Sequence, residues 1–259
     1  MVDAPFLEVD NVTLQYKTAE HLVTAVYRVS FQVRQSERLI LLGPSGCGKS
    51  TLLKAVGGFI HPVEGRIRHN GSLIAKPGPE RAMVFQEFDQ LLPWKTVHQN
   101  VVFALREGRK AGKAEAEAIA RDYIQKVNLT KFANSYPHTL SGGMKQRVAI
   151  ARCLALSAAI ILMDEPFAAL DALTRQKMQE ELLELWSDSR FTMIFVTHSI
   201  DEAILLGTRI VLLSPHPGQI KAELNVDLEV LQQSGAVQYR ELHQRIQQLL
   251  FQDAIDYSI

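Results

Sequence analysis

Cysteine is scarce in this chain. Of 259 residues only Cys47 and Cys153 carry a thiol, far apart in sequence and without metal-ligand spacing. They offer no disulfide framework and no zinc site, and they suit a reducing compartment. A surplus of charge is missing too: 28 Lys plus Arg balance 28 Asp plus Glu, so no basic field draws the chain to nucleic acid. No uninterrupted apolar run reaches the roughly 18 to 20 residues of a membrane-spanning helix. Met1 to Tyr16 lack the basic stretch followed by an apolar one that marks a secretory leader. Internal repeats and low-complexity tracts are also absent, and no separate regulatory domain is expected. Any role at a membrane is therefore expected to be that of a peripheral subunit. What is present is apolar substance: 47% hydrophobic residues, enough for the core of one large α/β domain or two small ones, and too much for disorder.

The pattern changes along the chain. Phe6 to Val9, Val12 to Tyr16 and Val26 to Val33 read as short strands of an antiparallel sheet. From Arg38 onward the runs read as buried parallel strands alternating with helices: Leu39 to Leu42, Met83 to Phe85, Ile160 to Met163, Met193 to Val196 and Ile210 to Leu213. Between Phe85 and Ile160 lies a helical insert, with Ile119, Ala120, Tyr123, Ile124 and Val127 at helical spacing and a solvated stretch from Gly108 to Lys113 before them. After a turn at Pro215 to Gly218, Gln219 to Val226 reads as an edge strand. Leu242, Ile246, Leu249 and Leu250 mark one face of a tail helix.

The strand Leu39 to Leu42 runs straight into Gly43-Pro44-Ser45-Gly46-Cys47-Gly48-Lys49-Ser50-Thr51, the pattern G-x-x-x-x-G-K-[ST]. Glycines let successive backbone N–H groups turn inward around a phosphate, and the helix beginning near Lys49 aims its positive end at the same anion. The expected ligand is a nucleoside triphosphate. A second apolar strand, Ile160 to Met163, ends in Asp164-Glu165-Pro166, which puts two carboxylates at a strand's carboxyl end, where open α/β sheets bind ligands. Ser50 and Asp164 are expected to orient Mg2+ on the β- and γ-phosphates, and Glu165 to polarise the attacking water. Cys47, at a helix amino end, is expected to carry an acidified thiol whose modification blocks ATP.

About twenty residues before Asp164 stands Leu140-Ser141-Gly142-Gly143-Met144-Lys145-Gln146. Together with the phosphate loop and the Asp164-Glu165 pair, this stretch resembles the signature of ATP-binding cassette (ABC) ATPases, over roughly Leu7 to Ile220. Ser141 and its two glycines open a helix with Met144, Val148, Ala151 and Leu154 on one face, giving a hydroxyl, unpaired amides and a helix dipole for a second anion. The resemblance implies an α/β fold, with an ABC-type P-loop NTPase core, an antiparallel β subdomain and a helical subdomain. Residues 1–220 would form the ATPase domain, with the helical subdomain inserted over about 87–158. Residues 221–259 would add an edge strand and a helix packed on it. It further implies a head-to-tail homodimer in which Ser141, Gly142 and Gly143 of one copy close on the ATP held by the other. Position by position, it makes Tyr16 the adenine-stacking aromatic, Gln86 the glutamine that senses Mg2+ and the γ-phosphate, and Asp171 part of a loop at the dimer interface. It makes His198 the switch histidine that fixes Glu165 and the water, with Lys49 on the phosphates.

Phe88-Asp89-Gln90-Leu91-Leu92-Pro93-Trp94-Lys95-Thr96-Val97, preceded by Lys76-Pro77-Gly78-Pro79-Glu80-Arg81, is similar to the subunits that energise bacterial uptake of nitrate, sulfonates and taurine, as is Ser214-Pro215-His216-Pro217-Gly218-Gln219-Ile220. That similarity implies transmembrane permease subunits, whose coupling helix would dock near Gln86, Leu91, Leu92 and Trp94, and an extracytoplasmic solute-binding protein. The chain would then lie peripherally on the cytoplasmic side of the inner membrane. The competing class is a soluble ABC ATPase acting in nucleic-acid repair or translation. It is disfavoured by the neutral charge and by the lack of coiled-coil insertions or basic extensions, and no nucleic-acid partner is expected. A metabolite kinase using the phosphate loop alone would need neither the signature nor His198.

Overall fold

The computed structural model describes residues 5–17, 21–86, 90–227 and 236–251. The chain divides into two compact units, Met1–Pro77 with Met193–Ile259, and Gly78–Thr192.

In the first unit β1 (Leu7–Lys17), β2 (Leu22–Val33), β4 (Glu64–His69) and β5 (Ser72–Leu73) form an antiparallel sheet in the order β2-β1-β4-β5. The two short strands expected before Lys17 are one: at Asn11 the backbone turns to φ 50° and the register shifts, so the strand bulges without ending. Asparagine tolerates that conformation better than most residues. The strands β4 and β5 gave no apolar signal, because β4 is Glu-Gly-Arg-Ile-Arg-His and buries only Ile67.

The same unit holds β3 (Arg38–Leu42), flanked by β8 (Thr192–Thr197) and β9 (Arg209–Leu213) in parallel register, with β10 (Ile220–Asn225) antiparallel on β9. All five residues of β3 are buried. Each of its leucines and its isoleucine contributes about 1.5–3 kcal/mol by leaving water, which fixes the strand that delivers the phosphate loop to helix α1 (Lys49–Val56). Helix α6 (Ile200–Leu206) follows β8, capped by Ser199, whose Oγ accepts from Glu202 N at 3.3 Å. The last described helix, here α7 (Ala236–Phe251), buries Ile246 and half-buries Leu242, Leu249 and Leu250, the expected face. Its Tyr239 hydroxyl donates to Asp201 Oδ1 on α6 at 2.6 Å. Burial and the Asp201 carboxylate both push the Tyr239 phenol well above its ordinary pKa.

In the second unit β6 (Arg81–Val84) and β7 (Ile160–Asp164) pair in parallel, every residue of both buried. Its described residues also form the α-helices α2 (Val97–Gly108), α3 (Lys113–Lys126), α4 (Gly142–Ala155) and α5 (Ala172–Ser189). Cys153, on α4, donates its thiol to Met83 O at 3.5 Å, and burial pushes its pKa up to about 11. It is a core residue.

Candidate nucleotide-binding site

In the first unit the loop from Gly43 to Gly48 closes around Lys49. Lys49 is 4% exposed, and its Nζ donates to the carbonyls of Gly43 at 2.8 Å and Pro44 at 2.9 Å. Gly48 stands at φ 95° just before α1, so a residue with a Cβ would be strained there, and no side chain caps the helix. A helix start of this kind points its leading amides and its positive end toward an anion. Ser50 and Thr51 lie half-buried in the first turn, while Ser45 and Gly46 are exposed at the loop's crest.

Cys47 departs from expectation. Its side chain turns inward and is 1% exposed, with Sγ 3.9 Å from Lys49 Nζ. A thiol enclosed this way is shielded from reagents, so the sequence-based idea of a readily modified cysteine is corrected. Tyr16, at the end of β1 opposite Val23, is 49% exposed. His198 stands exposed directly after β8.

In the second unit β7 ends at Asp164, 5% exposed, and Glu165 follows half-buried with its backbone at φ 43°. A non-glycine residue in that region costs on the order of 1 kcal/mol or more, and such strain concentrates at functional positions. Ser141 caps α4, its Oγ accepting from Met144 N at 3.4 Å. The hydroxyl proton is still available to donate to an incoming oxygen. Gly142 and Gly143 form the first turn of α4, with Gly143 buried against Thr174. Asp171 caps α5, its carboxylate accepting from Thr174 N at 3.0 Å, a contact that holds its pKa below the usual carboxylate value.

Gln86 is exposed. Sequence reasoning missed what supports it: the Gln90 side chain bonds both backbone groups of Phe85, accepting from its N at 3.2 Å and donating to its O at 3.0 Å. Arg152 of α4 clamps Gln90 in turn, through its carbonyl at 2.7 Å and its Oε1 at 3.4 Å. Arg152→Ala is expected to cost about 1.5–3 kcal/mol, measured as a lower urea midpoint with an unchanged slope.

The surface expected to receive a partner is partly corrected as well. Leu91 is 4% exposed and belongs to the core of the second unit, and Leu92 is half-buried. Trp94 is 69% exposed. Its loop is held from beneath by Asn100, fully buried, whose amide donates to the carbonyls of Leu92, Lys95 and Thr96 and accepts from Leu92 N. A capping box between Thr96 and Gln99 fixes the start of α2 beside it. Phe88 and Asp89 of this segment lie outside the described residues.

The chain's sequence matches the family model described as ABC transporter over residues 26–168, more than half its length. It is 45% identical over 223 residues to the taurine import ATP-binding protein TauB of Rhizobium johnstonii, covering 85% of this chain and 84% of that protein. It is 45% identical over 214 residues to the bicarbonate transport ATP-binding protein CmpD of a Synechocystis species, covering 82% and 75%. Among solved structures, a dimeric bacterial ABC transporter cassette superposes with a TM-score of 0.75 at 33% identity, covering 85% of this chain and 99% of that one. A post-hydrolysis dimer of an ATP-binding cassette bound to ADP and phosphate does so with a TM-score of 0.73 at 32% identity, covering 85% and 99%. With the phosphate loop, the Asp164-Glu165 strand end and the Ser141-capped helix all in place, the chain belongs to the ATP-binding, ATP-hydrolysing subunits of the ABC transporter family.

Proposed function

We propose that this chain powers an importer for a small solute, working as a head-to-tail homodimer against membrane-spanning permease subunits on the cytoplasmic face of the membrane. The observation that carries the reading is a pair of phosphate-binding surfaces in one chain: the glycine loop around Lys49 and the helix start capped by Ser141. One chain has use for both if each serves a different nucleotide of a dimer. The dimeric cassettes among the solved relatives support that arrangement.

In each half-site Lys49 and the loop amides bind the phosphates, and Tyr16 stacks on the base. Gln86 reports on the γ-phosphate. Ser50 and Asp164, with Gln86, would hold Mg2+. The donor set suits that ion, because it consists of oxygens. Among the described residues no group of three or more His, Cys, Asp or Glu builds a metal cage, as fits an ion that keeps water and takes phosphate ligands. Mg2+ when bound neutralises charge building on the β- and γ-phosphates. Glu165 orients and polarises the attacking water, His198 fixes Glu165 and the γ-phosphate, and Asp171 lies at the dimer interface. Ser141, Gly142 and Gly143 reach the γ-phosphate of the opposite copy. Losing that phosphate on hydrolysis removes the contacts that close the dimer.

The bicarbonate and taurine relatives support a small polar solute of that chemical class, delivered by an extracytoplasmic solute-binding protein. No described helix is long and apolar enough to cross a membrane, so passage is assigned to the permease. An exposed tryptophan on a loop pinned by a buried asparagine is a preorganised anchor for its coupling helix. Affinity capture of the tagged chain from detergent-solubilised membranes of its source tests this. Multi-spanning membrane proteins are expected with the wild type, and Trp94→Ala is expected to lose them while ATP turnover of the purified chain persists. Capture of nucleic acid, or of the same membrane proteins by Trp94→Ala, counts against this reading.

A further inference from the structure

The phosphate loop is gripped between two backbone segments, one of which lies outside every nucleotide motif. On one side is β2: a Cβ on Gly48 would lie 2.5 Å from Ala25 O and 2.7 Å from Val26 Cγ2. On the other is the turn between β9 and β10, where a Cβ on Gly218 would lie 2.1 Å from Cys47 O. Gly218 has no room to retreat. Its N–H donates to Ala25 O at 3.0 Å and its carbonyl accepts from Tyr27 N at 2.9 Å, a parallel bridge opposite Val26. The turn is itself closed, with Ser214 N donating to Gln219 O at 2.8 Å and Gln219 N donating to Ser214 Oγ at 3.0 Å. At its start Leu213 O lies 3.0 Å from where a Cβ on Gly43 would stand, so the β9–β10 connection braces the loop at both ends.

Peptide geometry gives this packing a chemical consequence. The Cys47 carbonyl faces Gly218, and in a trans peptide the following N–H points the opposite way. The contact therefore turns the Gly48 N–H away from the brace, toward the face of the loop left for phosphate. We propose that Gly218 is a positioning residue for ATP: the β9–β10 turn, tied to β2 at Gly218, sets the orientation of the Cys47–Gly48 peptide in the phosphate loop, so only glycine at this position leaves the loop in its binding geometry. This rests on the ATP-hydrolysing activity of the family.

Gly218→Ala in the full chain tests it. KM for MgATP is expected to rise about tenfold, more than kcat falls, because the loss is in ground-state phosphate binding. Inhibition by inorganic tripolyphosphate, which has no base or ribose, is expected to weaken in parallel. A merely structural role would lower stability and active fraction without moving either constant. Should Gly218→Ala fail to fold, Ser214→Ala, which loosens the same turn without adding bulk, is expected to raise KM about threefold. Unchanged KM and unchanged tripolyphosphate inhibition in the folded variant overturn the proposal. Absence of MgATP turnover in the wild type would instead overturn the activity on which it rests.

Discussion

Glu165→Gln is expected to stop steady-state hydrolysis while ATP still binds, lowering turnover by about a hundredfold to ten-thousandfold. The substitution keeps the volume and the reach of the side chain and removes only the charge and the basic oxygen. A loss of that size is therefore chemical and not a packing defect. The backbone supports the same conclusion: at φ 43° the residue occupies a conformation that costs energy, and the fold places it at the end of a strand whose every residue is buried. Gln carries the same backbone strain, so the variant's unfolding midpoint is expected to match the wild type. Size analysis in MgATP supplies the second readout. A copy that cannot hydrolyse keeps its γ-phosphate, and the particle is expected to shift from the 29.0 kDa of one chain to twice that mass. Turnover close to wild type would remove Glu165 from the chemistry. Loss of turnover with a monomer at all ATP concentrations would keep Glu165 and discard the dimer.

The parts of the molecule legible in the sequence are those where local pattern and local chemistry coincide. The apolar run Leu39 to Leu42 of β3, three glycines and Lys49 specify strand, loop and helix within a dozen residues, and α1 begins at Lys49 as its spacing requires. The stripe of Leu242, Ile246 and Leu249 sits on the buried face of α7 for the same reason. What escaped depends on residues distant in the chain. Gln90 reads as a polar loop residue until Arg152, sixty-two positions later, is seen to clamp it. Asn100 reads as an ordinary helical polar residue, yet it is wholly buried under the Trp94 loop. The orientation of Cys47 follows from Lys49 and from the Gly43 turn closing over it, neither of which a helix-terminus rule takes into account. Leu91 and Trp94 show the limit from the other side, since three residues apart in one apolar segment they part between core and surface.

Lys49→Met is expected to weaken MgATP binding by about a hundredfold or more, close to 2.7 kcal/mol by the usual conversion. Lys49 is almost fully buried, and its ammonium spends two of its three hydrogens on the carbonyls of Gly43 and Pro44. It both pins the loop and stores positive charge where phosphates arrive. Methionine has nearly the same shape and can lie in the same channel, but it returns nothing to the two carbonyls. The apparent stability should fall by no more than about 1–3 kcal/mol, because the desolvation cost of the buried charge disappears along with its hydrogen bonds. Ligand linkage separates the two effects. At ATP one hundred times its dissociation constant the wild type gains about 2.7 kcal/mol of stability, whereas a variant binding a hundredfold more weakly gains only about 0.4 kcal/mol at the same concentration. The ATP-dependent rise in melting temperature should nearly vanish, although the variant melts cooperatively. An undiminished rise would mean that the Lys49 ammonium remains with the loop carbonyls and gives the phosphates nothing, which would shift their recognition to the backbone amides of the loop alone.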